Sequence, residues 1–159
     1  LFDQILGLPA HPLIIHFAVV LTPLLVAVAV AYALVPRWRG NVAWALVLLA
    51  PAGSLAVFAA RQSGERLKEA RFGTAEGELA ARITTHESFA TPLLLSVLGL
   101  TVASLLLVYA TSPARDSVGR DRLGRPVTVL LTVLTVALAL VVAYFVFRAG
   151  DSGARAVWG

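Results

Sequence analysis

Among the residues of this chain able to do chemistry inside or beside an apolar stretch are its three histidines, His11, His16 and His86, with Glu87 following the last. His11 precedes Pro12, which suits the first turn of a helix, where a missing N–H costs nothing. His16 lies deeper, and its five-residue spacing turns it by about 140° from His11 on a helix. The two are therefore poor co-ligands for one metal. An ionisable group within a span is a functional candidate that usually faces the bundle interior. The alternative is a neutral histidine bonded to a backbone carbonyl or to a threonine of the next helix. His86 follows Thr84 and Thr85, which can orient its ring or cap a helix. A b-type haem needs axial imidazoles on facing helices, and His16 with His86 is the pair the sequence offers. A tetrahedral zinc site would draw on His16, His86, Glu87 and Asp151. There is no Ser–His–Asp order, glycine-rich phosphate loop or HExxH stretch.

The elements that hold these residues are set by composition. The chain is 58% hydrophobic and only 14% charged, against about half and a quarter in soluble proteins. Long stretches carry no charge at all, so lipid is the solvent. Cysteine is absent, which excludes c-type haem attachment, cysteine-ligated clusters, blue copper and disulfides. Lys68 is the single lysine among thirteen basic residues. That arginine bias, with abundant Ala, Val, Leu and Gly, fits a GC-rich bacterium of the actinobacterial kind. The net charge of +4 is accounted for by loop topology and is no nucleic-acid footprint.

Four apolar runs cover about 10–35, 42–60, 88–111 and 127–147, each within or near the roughly 17–25 residues needed to cross a bilayer. The expectation is an all-α integral membrane protein, a single domain over 1–159 folded as a four-transmembrane-helix bundle. The 36–42 loop carries Arg37 and Arg39 with no acid, and the 112–125 loop carries four arginines against Asp116 and Asp121. Positive charge in short loops marks the cytoplasm. Both termini and the long 61–87 segment therefore belong on the outer side of the bacterial inner membrane. Trp38, Trp44 and Tyr109 would anchor the inner ends, and Phe17, Phe89, Tyr144, Phe145 and Trp158 the outer ends.

Small residues should mediate packing in lipid: Thr128, Thr132, Thr135, Ala139 and Ala143 on span four, and Ser96, Gly99 and Ala103 on span three. Pro23 and Pro51 fall inside spans one and two, where they should kink the helices. Thr22-Pro23-Leu24-Leu25 matches Thr91-Pro92-Leu93-Leu94, which suggests two parallel helical-hairpin repeats with His16 and His86 at equivalent depths. The outer segment reads as helix broken at Gly73 and Gly77, with a Glu78–Arg82 pair one turn apart. Its charged residues Glu65, Arg66, Lys68, Glu69 and Arg71 form a solvated face or a partner-docking surface. The tail from Gly150 onwards reads as a short loop against the outer rim.

The opening GLPAHPLIIHF, the His86-Glu87 pair before a span and the closing GDSGARAVWG resemble a bacterial family of four-helix membrane proteins of unknown function. Its mark is HPxxxHFP near the N-terminus; here Ala18 replaces the final proline, and Asp151 stands where many relatives carry histidine. The chain also resembles the small accessory factors of actinobacterial respiratory supercomplexes, which join a cytochrome bc complex to a haem–copper oxidase. That resemblance implies a non-catalytic accessory or assembly subunit with no cofactor or metal of its own. Its partners would be membrane lipid and a larger respiratory complex, with no nucleic acid. The alternative is a haem-, metal- or quinone-binding membrane protein using His16 and His86, with His11 and Glu87 nearby.

Because the chain lacks cysteine, the orientation has a direct test. In intact cells a membrane-impermeant maleimide should label Glu69→Cys and spare Arg37→Cys until the membrane is opened. The reverse pattern would invert the topology.

Overall fold

The computed structural model describes residues 4–5, 8–74, 76–112 and 121–158. Gln4–Ile5 (β1) and Leu8–Pro9 (β2) pair briefly as antiparallel strands ahead of the first helix. Helix α1 spans Ala10–Leu34, α2 Arg39–Leu67, α3 Gly77–Ser88, α4 Ala90–Thr111 and α5 Arg125–Trp158. Four of the helical stretches are long and apolar enough to cross a membrane. Their spans run through α1, α2, α4 and α5, while α3 carries the polar stretch before the third. Both α1 and α2 continue as helix through Pro23 and Pro51, and these prolines sit on exposed surface.

α1 packs on α2 and α4 on α5, giving two hairpins. The hairpins join where α1 meets α5 and α2 meets α4. The ring order is thus α1, α2, α4, α5, with every neighbour antiparallel. The core is a mixture of leucines and small residues: Leu25, Ala29, Leu46, Ala50, Val97, Leu100, Leu107, Ala139 and Val142 are sealed completely. On α5, Thr128, Thr135 and Ala139 are buried as expected, joined by Leu131 and Val142, whereas Thr132 and Ala143 are half-buried. Within the apolar part of the first hairpin α1 and α2 come close at Gly53, where a Cβ would stand 3.2 Å from Leu25 Cδ2.

Hydroxyls supply the directional contacts. Thr101 Oγ1 donates to the Ala50 carbonyl at 2.9 Å and lies 2.8 Å from Ser54 Oγ. Since the single threonine proton is used on Ala50, Ser54 is the donor of that pair. By the same logic Tyr32 donates to Thr111 Oγ1 at 2.7 Å, because Thr111 already donates to Leu107. These bonds tie α2 to α4 and α1 to α4, each worth roughly 0.6 kcal/mol in a membrane.

The α1–α2 and α4–α5 loops are each closed by an arginine. Arg39 donates from Nε to the Tyr32 carbonyl at 3.1 Å and stands over the Tyr32 ring. Arg122 donates to the Ser112 carbonyl at 3.0 Å and stands over Tyr109. Each cation satisfies carbonyls at the C-terminal end of the helix that enters its loop, where the helix dipole favours positive charge. Arg115, Asp116 and Arg120 of the second loop lie outside the described residues.

The outer segment follows the sequence reading. α2 runs beyond the apolar span to Leu67, widens into a single π turn at Lys68–Phe72 and stops at Gly73. Gly77, at φ 67°, opens α3 in the left-handed region that favours glycine. Glu78 and Arg82 pair at 2.6 Å, and Arg82 also donates to the Arg155 carbonyl of α5 at 2.9 Å. The tail departs from expectation. It is no loop, because α5 stays helical to Trp158. An Asp151–Arg155 pair one turn apart, at 3.1 Å, and the packing of α3 on α5 hold it in place despite Gly150 and Gly153.

Replacing Gly53 by leucine should lower stability by about 1–3 kcal/mol, the usual cost of overpacking. Gly40→Leu, which meets open space, should change it by less than about 0.5 kcal/mol. Thermal unfolding in detergent measures both.

Candidate functional site

The inward face of α1 decides which histidine matters. Ala18, Thr22, Leu25, Ala29 and Tyr32 are buried, and one helical repeat above Ala18 on the same face stands His11. His16 points the other way and is exposed, with its Nδ1 bonded to the Pro12 carbonyl of its own helix. The separation of His11 and His16 onto different faces is as the spacing requires. The structure does not, however, bring His16 to His86.

The ring turned toward a neighbouring helix is His11. His11 Nδ1 lies 3.1 Å from the Ala60 carbonyl and 3.0 Å from Ser63 Oγ, both on α2. Ser63 donates its only proton to that same Ala60 carbonyl at 3.0 Å. Both neighbours of the ring nitrogen are therefore acceptors, and Nδ1 must carry the proton. Gly64 makes room for the ring, since a Cβ there would stand 3.1 Å from His11 Cε1.

The second hairpin repeats this arrangement. His86 Nδ1 lies 3.1 Å from Ser152 Oγ on α5, and Ser152 donates to the Ala149 carbonyl at 3.2 Å. A Cβ on Gly153 would stand 3.1 Å from His86 Cε1. The same proton count makes Nδ1–H the donor. Burial pushes the His86 imidazole below its ordinary pKa, opposed by the Ala149 carbonyl and the Glu87 carboxylate.

The register of the repeat follows from these contacts. Setting His11 on His86 places Ala18 on Leu93, Leu25 on Leu100 and Tyr32 on Leu107, all buried. Setting Ser63 on Ser152 places Leu46 on Thr135 and Ala50 on Ala139, again all buried. The Thr-Pro-Leu-Leu match does not give this register, for Thr22 is fully buried while Thr91 is exposed. The equivalent histidines are His11 and His86. The sequence signal that carries the repeat is Ala-x-x-Ser-Gly-x-Arg, at 60–66 and again at 149–155; Ser63, Gly64, Ser152 and Gly153 had not been singled out.

The other charged candidates are engaged elsewhere. Glu87 pairs with Lys68 at 2.5 Å, Glu65 with Arg61 at 2.9 Å and Asp151 with Arg155. The set His16, His86, Glu87 and Asp151 does not converge, and no group of three or more His, Cys, Asp or Glu suited to a metal occurs among the described residues. Arg66 and Glu69 are exposed, and the side chain of Arg71 lies outside the described residues.

Each imidazole pins one hairpin at the end away from its connecting loop. His11→Ala and His86→Ala should each lower stability by about 1–3 kcal/mol, leaving buried acceptors without their donor. His16→Ala should fall within about 0.5 kcal/mol of the parent. Thermal unfolding of the three variants in one detergent reads the difference.

Residues 7–159 match the family described as predicted membrane protein (DUF2231), and the chain belongs to it. No curated protein and no solved structure matches.

Proposed function

We propose that this DUF2231 member is a non-catalytic accessory or assembly subunit of a bacterial inner-membrane complex, in the first instance a respiratory cytochrome bc–haem–copper oxidase supercomplex. Its termini and α3 lie on the outer side. The observation that carries this reading is a pair of exposed ridges on neighbouring helices. On α1, Leu13, Phe17, Val20 and Leu24 follow one another at helical spacing, and Phe17 and Val20 are 65% and 63% exposed. On α5, Leu130, Val133, Leu140, Tyr144 and Phe147 do the same, with Phe147 71% exposed. These large side chains have no role inside the bundle and suit packing against the helices of a larger neighbour.

Two further features support it. The hydroxyls that bridge α2 to α4 and α1 to α4 use their partners on one another, which describes a packed scaffold better than a transport path. The segment after the second span adds Arg66 and Glu69 as exposed residues of opposite charge.

Purifying the tagged chain from its native membrane in mild detergent tests the proposal. Oxidase and cytochrome bc subunits are expected in the eluate, and Phe17→Ala combined with Phe147→Ala should deplete them while the chain stays folded. Recovery of the chain alone, under conditions that keep the supercomplex intact, would overturn it.

A further inference from the structure

At the end of the bundle that carries α3, one cation has no acid beside it. Arg148 is exposed, and its guanidinium stands 4.9 Å from the centre of the Phe89 ring and 5.9 Å from that of Tyr144. Its neighbours in charge are all paired elsewhere: Arg82 with Glu78, Arg155 with Asp151, and Lys68 with Glu87. Among the described residues Arg148 enters no ion pair. Contact with the two rings holds the cation in place and leaves its N–H donors without acceptors. A groove of about 190 Å³ opens next to it, walled by Glu78, Ala81, Arg82 and Thr85 of α3 and by Ser152 and Arg155 of α5. Thr85 lies four residues before Phe89 and Ser152 four after Arg148. The groove therefore starts one helical turn beyond the Phe89–Arg148 contact on both walls. Its two arginines are each matched by an acid of their own helix, so Arg148 leaves the whole site with a single positive charge. In the other direction the surface is apolar. Arg148 is the first charged residue after the apolar run of α5, and Val141 and Tyr144 before it are 41% and 53% exposed.

We infer that this end of the bundle binds one phospholipid with a monoanionic phosphodiester head. Its phosphate oxygens accept from Arg148, its polar head enters the α3–α5 groove, and its chains lie along Val141 and Tyr144. A guanidinium offers paired donors that match phosphate oxygens, and such charge-assisted bonds are the strong ones. A neutral polyol head suits the groove. An ammonium head does not, because Glu78 and Asp151 are already engaged by arginines and leave it no acid. Contact with bulk lipid would need neither a cation seated against two rings nor a groove beyond it. Such a site stands apart from the accessory reading, since lipid binding is read on the isolated chain without any partner complex.

The test uses the full chain, purified and delipidated in detergent, with bound lipid counted by native mass spectrometry. Phosphatidylglycerol, phosphatidylethanolamine and water-soluble glycerol phosphate are the probes. One phosphatidylglycerol per chain should be retained in preference to phosphatidylethanolamine. Arg148→Gln, at an exposed position, should weaken that binding about 10–100-fold, the usual loss when a hydrogen bond to a charged group is removed. Ala81→Phe fills the groove and keeps the cation, and it should abolish the preference between the two lipids. Arg37→Gln, at the opposite end of the bundle, should leave binding unchanged. Equal retention of the two lipids overturns the proposal, as does a preference that survives either Arg148→Gln or Ala81→Phe, or one that is lost with Arg37→Gln. Displacement of the lipid by an equal concentration of glycerol phosphate would assign the site to a free phosphate and overturn it as well.

Discussion

Helices in lipid gain no hydrophobic energy by meeting, so what holds this bundle is close approach at small residues and a few bonds between polar groups. Gly53 lets α2 lie against Leu21 and Leu25 of α1, and Gly99 lets α4 lie against Leu138 of α5. Where the backbones come that near, hydroxyls reach carbonyls of the neighbouring helix, as Thr101 reaches Ala50. The ring order of the four helices and the seating of both histidines depend on those approaches. A Cβ at Gly64 or Gly153 would displace the very ring that closes its hairpin.

The two hairpins share a plan and differ in detail. Each descends from a histidine, turns at a loop capped by an arginine lying over a tyrosine, and returns to a Ser-Gly pair that receives the histidine. The first does so within one continuous α1. The second prefixes α3 to α4, and that addition brings Glu87 to Lys68 at the end of α2 and Arg82 to the Arg155 carbonyl. The outer segment is thus the element that stitches the second hairpin to the first outside the membrane. Its charges are spent largely on internal pairs, which narrows the surface left for a partner to residues such as Arg66 and Glu69.

The arginine-rich loops between α1 and α2 and between α4 and α5 concentrate positive charge at one end of the bundle. Their geometry also satisfies the free carbonyls at the ends of α1 and α4. At the opposite end of the bundle Arg148 stands over the rings of Phe89 and Tyr144, so aromatic residues expected as headgroup anchors also hold a cation.

The four long apolar helices, the helical segment between the second and third with its breaks at Gly73 and Gly77, and the Glu78–Arg82 pair were all legible in the sequence. Each depends on local features: apolar run length, glycine, and charges one turn apart. The rotation of each helix about its own axis was not legible. In a bilayer α1 is apolar on every side, so no contrast between oily and polar faces marks the inward one. His16 and His11 could therefore be told apart but not ranked, and the deeper residue looked the better ligand. Only the packing of α1 on α2, set by Ala18, Leu25 and Gly53, turned His11 inward onto Ser63 and left His16 outside. The tail shows the same limit. Its glycines suggested a loop, and the contact of α3 with α5, together with the seat that Gly153 provides for His86, made them part of a helix.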